Sequence, residues 1–497
     1  MQITQTGNMQ STFLQQKPIK MLIGGQWVEA ASGKTFETIN PSNGKVLAQV
    51  AEGEREDINR AVAAARKAFE RGAWPRLTPS QRGRLLWKLA DLIEQNAEEL
   101  ALLETLDNGK PIKYSRSIDV PQAADHFRYF AGWATKLEGE TIPVSIPHKF
   151  VYTAREPMGV VGQIIPWNFP LQMAAWKLAP ALACGNTVIL KPAEQTPLTA
   201  LRLGELINEA GFPRGVVNIV PGFGETAGAA LAEHPEVDKI AFTGSTEVGK
   251  KILRASIDNL KRVTLELGGK SPNIIFPDAD MRFAIRGAMD AIFFNQGQIC
   301  TAGSRLFVHK AIYDQVISRL SELTSKLKIG DSTDPTTEMG PLISQEQLGR
   351  VMSYIETGKR EGATPTTGGQ RLDTQEFPGY FLQPTVFDNV SDEMTIAREE
   401  IFGPVVVVLP FENMEEVAAR ANKSMYGLAA GVWTSDVRTA HEMAATLKAG
   451  VTWVNTYNIF DAAAPFGGYK QSGHGREMGH AVLDAYTQTR TVWVNLQ

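Results

Sequence analysis

Short apolar runs and amphipathic stretches divide the chain into regions of different secondary structure. Between residues 21 and 50, strand-like runs alternate with Gly, Asn-Pro and Asn-Gly turns, which predicts a small antiparallel ribbon. Apolar positions then recur every three or four residues. This spacing predicts helices over residues 57–69, from Thr78-Pro79 onward, and through Leu100 to a stop at Asn108-Gly109.

After Gly159 the pattern changes to short apolar runs, each followed by a stretch with helical periodicity. Four such runs, VVGQIIP, NTVILKP, VVNIVPG and KIAFTGS, predict parallel strands joined by right-handed crossovers, as in a doubly wound nucleotide-binding sheet. A second βα alternation begins near residues 272–276 and continues through SRLFVH, GPVVVVLPF, LAAGVWT and GVTWVN. We therefore expect an α/β protein with two domains and a site between them.

Two alternating segments stand outside this βα order. Residues 148–156 and 487–495 alternate polar and apolar side chains without an adjoining crossover helix. Strands of this kind suit edge pairing, and a subunit interface is one place where such pairing occurs.

Composition and charge narrow the class of partner. The chain has 497 residues, which is too long for one ordinary core. A formal net charge of −4 gives no strong field for nucleic acid or an anionic membrane, and no apolar run approaches the length of a membrane span. We expect a small-molecule partner, with neither nucleic acid nor membrane.

Cysteine usage and the first residues predict the compartment. The two cysteines, Cys184 and Cys300, exclude a disulfide framework, and neither they nor the seven histidines have metal-ligand spacing. Residues 1–20 are polar and Gln-rich and lack the apolar segment of a signal peptide. We expect a disordered leader, no metal site and a reduced, cytoplasmic setting.

The motif FFNQGQIC, residues 293–300, ends at a cysteine in a polar, Gly-containing turn after a helix. A nucleophilic thiol needs a lowered pKa or a nearby base, because an ordinary thiol is mostly protonated at neutral pH. A free cysteine is more often a small buried hydrophobe, which fits Cys184 in the apolar helix LAPALACG. Cys300 differs because its sequence neighbours are polar or Gly, which is unusual around a cysteine that only fills space in a core.

Two further motifs could serve such a thiol. In VTLELGGK, Glu266 interrupts an apolar strand before two glycines. Its carboxylate could be a base for the thiol or for a water. The competing explanation is a salt bridge to a nearby cation, which could be Lys261, Arg262 or Lys270. In VVGQIIPWNFP, two prolines fix the loop that carries Asn168. Its amide could stabilise an oxyanion, although stabilising a turn is the commoner role of Asn beside Pro.

Three segments could bind a dinucleotide. KPAE places Lys191 and Glu194 at the end of a strand, where an acidic side chain can bind ribose hydroxyls. The same carboxylate would repel a 2′-phosphate, which favours NAD over NADP. The alternative is that Lys191 and Glu194 form a surface ion pair. FTGSTEVGK can hold a pyrophosphate at a helix N-terminus, with Ser245 as a further donor. GFGETAG, which contains Gly224, has a weaker form of this pattern, and either segment could be an ordinary βα turn.

Two later segments, EEIFGPV and PFGGYKQSGHGRE, are typical of ordinary loops when taken alone. In this order, however, FFNQGQIC, LELGGK, PWNFP, KPAE, FTGSTEVG, EEIFGP and PFGGYKQSG together closely resemble the aldehyde dehydrogenase superfamily, in particular its non-acylating, class 1 and 2-like tetrameric members. The resemblance extends from about Pro18 onward.

This resemblance implies a role for each matching residue. Cys300 would be the nucleophile, Glu266 the general base, and Asn168 with the Cys300 backbone N–H the oxyanion hole. The contacts with NAD would come from Ile164, Trp167, Lys191, Glu194, Gly224, Ser245, Glu400 and Phe402. The substrate tunnel would be lined by Phe169, Met173, Trp176, Phe294, Ile299, Thr301, Phe460 and Phe466.

The resemblance also implies an architecture. A Rossmann-like cofactor domain would comprise residues 21–140 and 159–268, and an α/β catalytic domain residues 269–470. A β-strand oligomerisation element, residues 141–158 and 480–497, would assemble a homotetramer as a dimer of dimers. Gln488 is a departure, because some relatives carry there an acidic residue that pairs with arginines matching Arg262 and Arg476, so the charge balance at that subunit contact differs.

The implied reaction oxidises an aldehyde to the carboxylic acid. Cys300 would add to the carbonyl, NAD+ would accept hydride, and water deprotonated by Glu266 would hydrolyse the thioester. All tunnel positions except Thr301 are apolar, and none is Arg or Lys. They favour aromatic or medium- to long-chain aliphatic aldehydes, phenylacetaldehyde or retinal-like substrates included, over short semialdehydes that carry a carboxylate.

Two other functions compete with this one. A cysteine hydrolase of the esterase type would acylate Cys300 without a redox step and would need a histidine partner, for which His474 is the candidate. A non-catalytic binding protein on the same fold is disfavoured by the joint presence of Cys300, Glu266 and Asn168.

Overall fold

The computed structural model describes residues 11–497, apart from the side chain of Thr12. Its strands are β1 (Met21–Ile23), β2 (Gln26–Val28), β3 (Thr35–Asn40), β4 (Lys45–Ala51), β5 (Thr141–Ile142), β6 (Lys149–Pro157), β7 (Val160–Ile164), β8 (Thr187–Lys191), β9 (Val217–Ile219), β10 (Lys239–Thr243), β11 (Arg262–Glu266), β12 (Pro272–Ile275), β13 (Arg305–His309), β14 (Thr364–Thr367), β15 (Thr385–Asp388), β16 (Val405–Phe411), β17 (Tyr426–Gly427), β18 (Ala429–Trp433), β19 (Val451–Val454), β20 (Tyr469–Lys470), β21 (Gly473–His474) and β22 (Thr487–Asn495).

The helices between these strands cover the faces of the sheets. They are α1 (Arg55–Arg71), α2 (Pro79–Gln95), α3 (Ala97–Asn108), α4 (Ile112–Tyr114), α5 (Val120–Trp133), α6 (Pro170–Ala183), α7 (Leu198–Ala210), α8 (Ala229–Glu233), α9 (Thr246–Ala255), α10 (Met281–Phe293), α11 (Tyr313–Thr324), α12 (Gln345–Arg360), α13 (Thr395–Arg398), α14 (Met414–Asn422), α15 (Val437–Thr446) and α16 (Leu483–Tyr486). Within residues 11–497, none of them combines the length and apolarity needed to cross a bilayer.

The three helices predicted near the start of the chain are confirmed. Thr78 caps α2 by accepting a hydrogen bond from the backbone of Gln81, and Pro79 occupies the first helical position. Gly109 ends α3 in the left-handed region, at φ 84°. This stop leaves Asn108 as the last residue of α3, beside the loop that carries Asn168.

An eight-stranded sheet has the order β2-β1-β9-β8-β7-β10-β11-β21. Strands β9, β8, β7, β10 and β11 are parallel, as predicted, and β7 and β8 are buried along their whole length, which accounts for their continuous apolar runs. The predicted N-terminal ribbon is only partly correct. β3 and β4 form a separate hairpin, but β1 and β2 extend the main sheet because β1 pairs with β9.

A seven-stranded sheet has the order β14-β15-β16-β13-β12-β18-β19. Its strands are parallel except for β14, and the five runs predicted from the sequence all belong to it. The edge strand β14 and its neighbour β15 lie in segments for which the sequence predicted no strand.

The two isolated strands predicted from the sequence pair with each other. β22 runs antiparallel to β6 from Thr487 opposite Pro157 to Asn495 opposite Lys149, and β5 continues this three-stranded sheet. Its outer strands remain unpaired at their far edges within residues 11–497. Gln488 donates to the carbonyl of Pro157 at 3.4 Å, within the same sheet.

The prediction of a disordered leader over residues 1–20 is wrong for residues 11–20. Ser11 caps a short helical turn, Thr12–Gln15, and its hydroxyl donates to Glu99 at 2.7 Å. Phe13 and Ile19 are buried in the core, and Ile19 donates its N–H to the carbonyl of Gln49. These apolar contacts offset the cost of ordering the segment. Residues 1–10 lie outside the described part of the chain.

Candidate active site

A cleft of about 610 Å³ opens where the carboxyl ends of β7, β10 and β11 meet loops of the seven-stranded sheet. It is lined by the three predicted catalytic residues, by all of the predicted tunnel residues, and by Trp167, Ser245, Glu400 and Phe402. Four other predicted cofactor residues lie outside this lining: Ile164 and Lys191 end adjacent strands, Glu194 follows Lys191, and Gly224 follows β9.

The turn that presents Cys300 has an unusual backbone. Asn295, Gln296 and Gly297 all have positive φ, at 45°, 57° and 70°. A left-handed conformation costs about 1–2 kcal/mol for a residue with a side chain, so surrounding contacts must hold the turn. A Cβ on Gly297 would come within 2.1 Å of the carbonyl oxygen of Gly403, which restricts this position to glycine.

Side chains of the turn supply those contacts. Asn295 Nδ2 donates to the carbonyl of Asn168 at 3.0 Å, and Gln296 Nε2 donates to the carbonyl of Pro341 at 2.9 Å. Gln298 Oε1 accepts from the N–H of Ile343 at 3.0 Å. The turn that ends at Cys300 is therefore tied to two separate loops, one containing Asn168 and the other containing Pro341 and Ile343. The sequence motif contained these residues but gave no indication of their partners.

Two hydrogen bonds fix the position of Asn168, the predicted oxyanion donor. Asn168 Nδ2 donates to the carbonyl of Gln298 at 2.9 Å, next to the cysteine turn, instead of stabilising its own turn. Asn108 Nδ2 donates to the carbonyl of Trp167 at 2.7 Å and holds the loop from behind. An amide nitrogen carries two hydrogens, so one N–H of Asn168 is left for a ligand in the cleft.

Glu266 ends β11 and is buried, at 4% exposure. Within residues 11–497 its carboxylate has no ion pair and no side-chain hydrogen bond, and the only hydrogen-bond donor that acts on it is the backbone N–H of Gly468. The competing explanation fails: Lys261 donates to the carbonyls of Ala232 and His234, and neither Arg262 nor Lys270 forms a salt bridge with Glu266 in the described chain. Burial, reinforced by the charge of Glu477, raises the pKa of Glu266 well above its ordinary value. Such a carboxylate is a suitable general base.

The thiol of Cys300 is not a low-pKa thiol. Burial, followed by the negative charges of Glu400 and Glu266, raises its pKa to about 12, against an opposing effect of the backbone N–H groups of Thr301 and Cys300. A nucleophilic thiol needs either a lowered pKa or a nearby base, and the surroundings of Cys300 do not lower its pKa. A base must accept the proton as the carbon–sulfur bond forms.

A buried ion pair next to this site was not predicted. Lys177 of α6 donates to Glu477, and both side chains are almost fully buried. Their charges act on Glu266 in opposite directions: Glu477 raises its pKa and Lys177 lowers it. The two residues are 300 positions apart, so sequence spacing could not reveal the pair.

Replacing Glu477 with Gln should move the acid limb of acyl-enzyme hydrolysis to lower pH. Glu266 accepts a proton only when it is ionised, so hydrolysis rises as the pH passes its pKa. Removing the Glu477 charge, and leaving Lys177 uncompensated, lowers that pKa. The pH dependence of deacylation after a single turnover measures the shift.

The double variant Lys177→Met/Glu477→Gln is the matched control, because it removes two opposing charges together. Its acid limb should shift less than that of Glu477→Gln. An acid limb that stays in place in the single variant would contradict this electrostatic coupling.

The cofactor side of the cleft has the groups that a dinucleotide requires. Ser245 caps α9 by accepting from the N–H of Val248 at 3.3 Å, which leaves its hydroxyl hydrogen free at a helix N-terminus. Lys191 pairs with Glu194 at 3.0 Å, but Lys191 is buried, so this is not the surface pair considered as an alternative. A Cβ on Gly224 would meet no atom within 4 Å, so the backbone there is open to a close ligand. These features fit NAD.

The nicotinamide end of the predicted site is equally ordered. Glu400 Oε1 accepts from the N–H of Gly269 at 2.9 Å, and a Cβ on Gly268 would lie only 2.1 Å from the same carboxylate. Burial raises the pKa of Glu400 to about 7. Phe402, at φ 60°, packs edge-on against Trp167 with ring centroids 5.3 Å apart.

The part of the cleft predicted to be the substrate tunnel is aromatic, but its wall is not wholly apolar. Trp176 packs against Phe460 and Phe466 with centroids 6.0 and 5.4 Å apart. The cleft is also lined by polar residues that sequence analysis missed: Tyr114, Gln122, Gln172, Arg286, Asp290 and Asn458. They lie in helices and loops whose periodicity indicates burial or exposure but not which cavity a side chain faces.

The remaining candidates lie elsewhere. Cys184 is buried in the core, which confirms the packing interpretation. His474 is exposed, contacts the carbonyl of Val263 through Nε2, and is not part of the cleft lining. No histidine lines the cleft in the described part of the chain, which removes the partner that a cysteine hydrolase would need.

A thiol, a buried carboxylate and an amide donor line one cleft at the edge of a doubly wound sheet, an arrangement typical of enzymes that use a dinucleotide cofactor. The profile of the aldehyde dehydrogenase family matches residues 27–492. The mitochondrial aldehyde dehydrogenase of Homo sapiens is 56% identical over 479 residues, covering 96% of this chain and 92% of the human protein. The mitochondrial benzaldehyde dehydrogenase of Antirrhinum majus is 54% identical over 474 residues, covering 95% and 88%.

Solved structures agree with this relationship. The NAD+ complex of aldehyde dehydrogenase from Bacillus cereus is 56% identical, covers 98% of each chain and has a TM-score of 0.96. The chain belongs to the aldehyde dehydrogenase family. It is an NAD-dependent oxidoreductase that converts aldehydes to carboxylic acids, and it has the α/β fold of that family with a Rossmann-like cofactor domain.

Proposed function

We propose that Cys300 is the nucleophile of this reaction, Glu266 its general base, and Asn168 with the Cys300 backbone N–H its oxyanion hole. The sulfur adds to the aldehyde carbon as its proton passes to Glu266 and from there to solvent, and the carbonyl oxygen becomes an oxyanion in a thiohemiacetal. NAD supplies the hydride acceptor. Loss of hydride leaves a thioester on Cys300, and a water that gives its proton to Glu266 releases the acid.

One observation carries this proposal. Cys300, Glu266 and Asn168 line a single cleft, and the last two retain unused hydrogen-bonding capacity there. A structural role would have consumed that capacity, since buried polar groups are normally paired within the protein.

The proposed cofactor contacts follow the positions described above. Lys191 and Glu194 bind the adenosine ribose, Ser245 the pyrophosphate and Glu400 the nicotinamide ribose. Further contacts near the cofactor come from Ile164, Trp167, Gly224 and Phe402. Glu194 disfavours NADP, because a carboxylate repels a 2′-phosphate by about 1–4 kcal/mol at roughly 4 Å.

Aromatic or medium- to long-chain aliphatic aldehydes are the proposed substrates. The rings of Trp176, Phe460 and Phe466 support this choice, and one close relative is named for benzaldehyde. Short semialdehydes with a carboxylate are disfavoured because none of the predicted tunnel positions is Arg or Lys, and Arg286, which lines the cleft, is an exposed side chain in an ion pair with Asp290 at 3.5 Å.

An absorbance assay tests the function directly. Purified protein is mixed with NAD or NADP and a panel of aldehydes, with and without coenzyme A. We expect NADH without coenzyme A, faster turnover of aromatic than of carboxylate-bearing aldehydes, and at least about 10-fold preference for NAD. Strict dependence on coenzyme A would contradict water as the acyl acceptor, and ester hydrolysis without any NADH would favour the hydrolase.

For assembly and location we propose a cytoplasmic homotetramer, a dimer of dimers, with the β5-β6-β22 sheet as the oligomerisation element. Apolar side chains exposed on this sheet support the proposal, among them Phe150, Trp493 and Val494. The proposed domain division keeps residues 21–140 and 159–268 for the cofactor and 269–470 for catalysis. Light scattering measures the mass, and fractionation of the source cells locates the protein.

A further inference from the structure

Two glutamine side chains, Gln122 and Gln172, interrupt the apolar wall of the cleft and lie next to each other in it. Gln172 lies in the first turn of α6 and Gln122 in the first turn of α5, and both line the cleft. Gln172 Nε2 donates to Gln122 Oε1 at 2.8 Å. One helical turn later on the same faces, Trp176 stacks on His126 with ring centroids 5.7 Å apart. The amide pair is therefore fixed by the packing of α5 against α6.

This pair keeps hydrogen-bonding capacity that no protein group uses. The mutual contact occupies one N–H of Gln172 and the oxygen of Gln122. Within residues 11–497, the side-chain oxygen of Gln172 and the side-chain nitrogen of Gln122 make no other hydrogen bond. An acceptor and a donor thus stand side by side at the wall of an aromatic cavity.

A neutral hydroxyl group matches this arrangement, because it both donates and accepts. A charged group would meet no net charge from Arg286 and Asp290, two exposed side chains of the cleft lining that form an ion pair with each other. The rings of Trp176 and Phe466, 5.4 Å apart, favour a flat aromatic body for the rest of the ligand.

We propose that the preferred substrate is an aryl aldehyde with a hydroxyl group on its ring, and that Gln172 and Gln122 bind this hydroxyl. This inference rests on the proposed function and specifies its substrate class. A substrate without the hydroxyl displaces water from the amide pair and returns no hydrogen bond, so it is discriminated against.

Steady-state kinetics with matched aldehydes test the proposal. We compare kcat/KM, from NADH formation, for phenylacetaldehyde, its 3-hydroxy and 4-hydroxy derivatives and its 4-methoxy derivative. At least one hydroxylated aldehyde should exceed phenylacetaldehyde by about 10-fold. The methoxy compound should lose most of this gain, because it cannot donate to the oxygen of Gln172.

Variants then assign the preference to the amide pair. Gln172→Leu should bring the ratio between hydroxylated and plain substrate to about 1, partly by improving the plain substrate, and Gln122→Leu should move the ratio in the same direction. Gln95→Leu is the matched control: it makes the same change at an exposed glutamine at the end of α2, outside the cleft lining, so the ratio should stay at its wild-type value.

A wild-type ratio near 1, or a preference that survives in Gln172→Leu, would overturn the inference. NADH formation from phenylacetaldehyde alone reports on the proposed function. A failure of substrate selection is therefore distinguishable from a failure of the oxidation itself.

Discussion

Replacing Cys300 with alanine should abolish NADH formation, by at least about 10⁴-fold, while NAD still binds. The sulfur is the only group proposed to form a bond to the aldehyde carbon. Without that bond no tetrahedral oxyanion forms, and the carbon cannot release its hydride. The cofactor contacts lie on other elements, at Glu194, Ser245 and Glu400, so binding should persist. Loss of NADH at saturating aldehyde and equilibrium dialysis of NAD are the two measurements.

Cys184→Ala is the matched control, since it removes the other thiol from a position buried in the core. It should retain activity at a modest cost in stability. NADH formation at the wild-type rate in Cys300→Ala would refute the nucleophilic role, and loss of NAD binding would show that the turn also shapes the cofactor site.

Replacing Glu266 with glutamine should stall the enzyme after one turnover. One equivalent of NADH should form rapidly, followed by a steady state slower by about 10²–10⁴-fold, because glutamine cannot take a proton from the attacking water. The burst should persist because the charge of Glu266 is one of the causes that raise the pKa of Cys300, after burial and Glu400, so its removal lowers that pKa and partly compensates for the lost base. Stopped-flow absorbance shows the burst, and intact-protein mass spectrometry shows the retained acyl group.

Glu266→Asp keeps the carboxylate on a shorter side chain and should recover part of the steady-state rate. If Glu266→Gln lost the burst as well, its main task would be deprotonation of the thiol. Turnover at the wild-type rate would remove it from the mechanism altogether.

The sequence predicted the regular elements well because their determinants are local. β7 and β8 are continuous apolar runs buried on both faces, and Thr78, Pro79 and Gly109 are side chains that begin or end helices by their own geometry. The ends of parallel strands also brought Glu266 and the Asn168 loop to one edge, as expected of a doubly wound sheet.

Long-range contacts set the features that the sequence did not predict. The partner of the Asn168 amide is a carbonyl 130 residues away, and the pKa of Glu266 depends on Lys177 and Glu477, two residues separated by 300 positions. Phe13 is ordered because a distant core accepts it. In the sequence, Gln122 and Gln172 are ordinary polar positions of two helices, and only the packing of α5 against α6 brings their side chains into contact.

The pairing of β6 with β22 can form only after the end of the chain has been synthesised. During synthesis, β6 emerges early, whereas its partner strand is made last; Gln488 and Pro157 are 331 residues apart. Until the ribosome has finished, the edge of β6 that faces β22 has no partner, and the cleft lacks Phe460 and Phe466. A nascent or C-terminally shortened chain would therefore expose an unsatisfied strand edge, the kind of surface that chaperones capture and that aggregates when they do not.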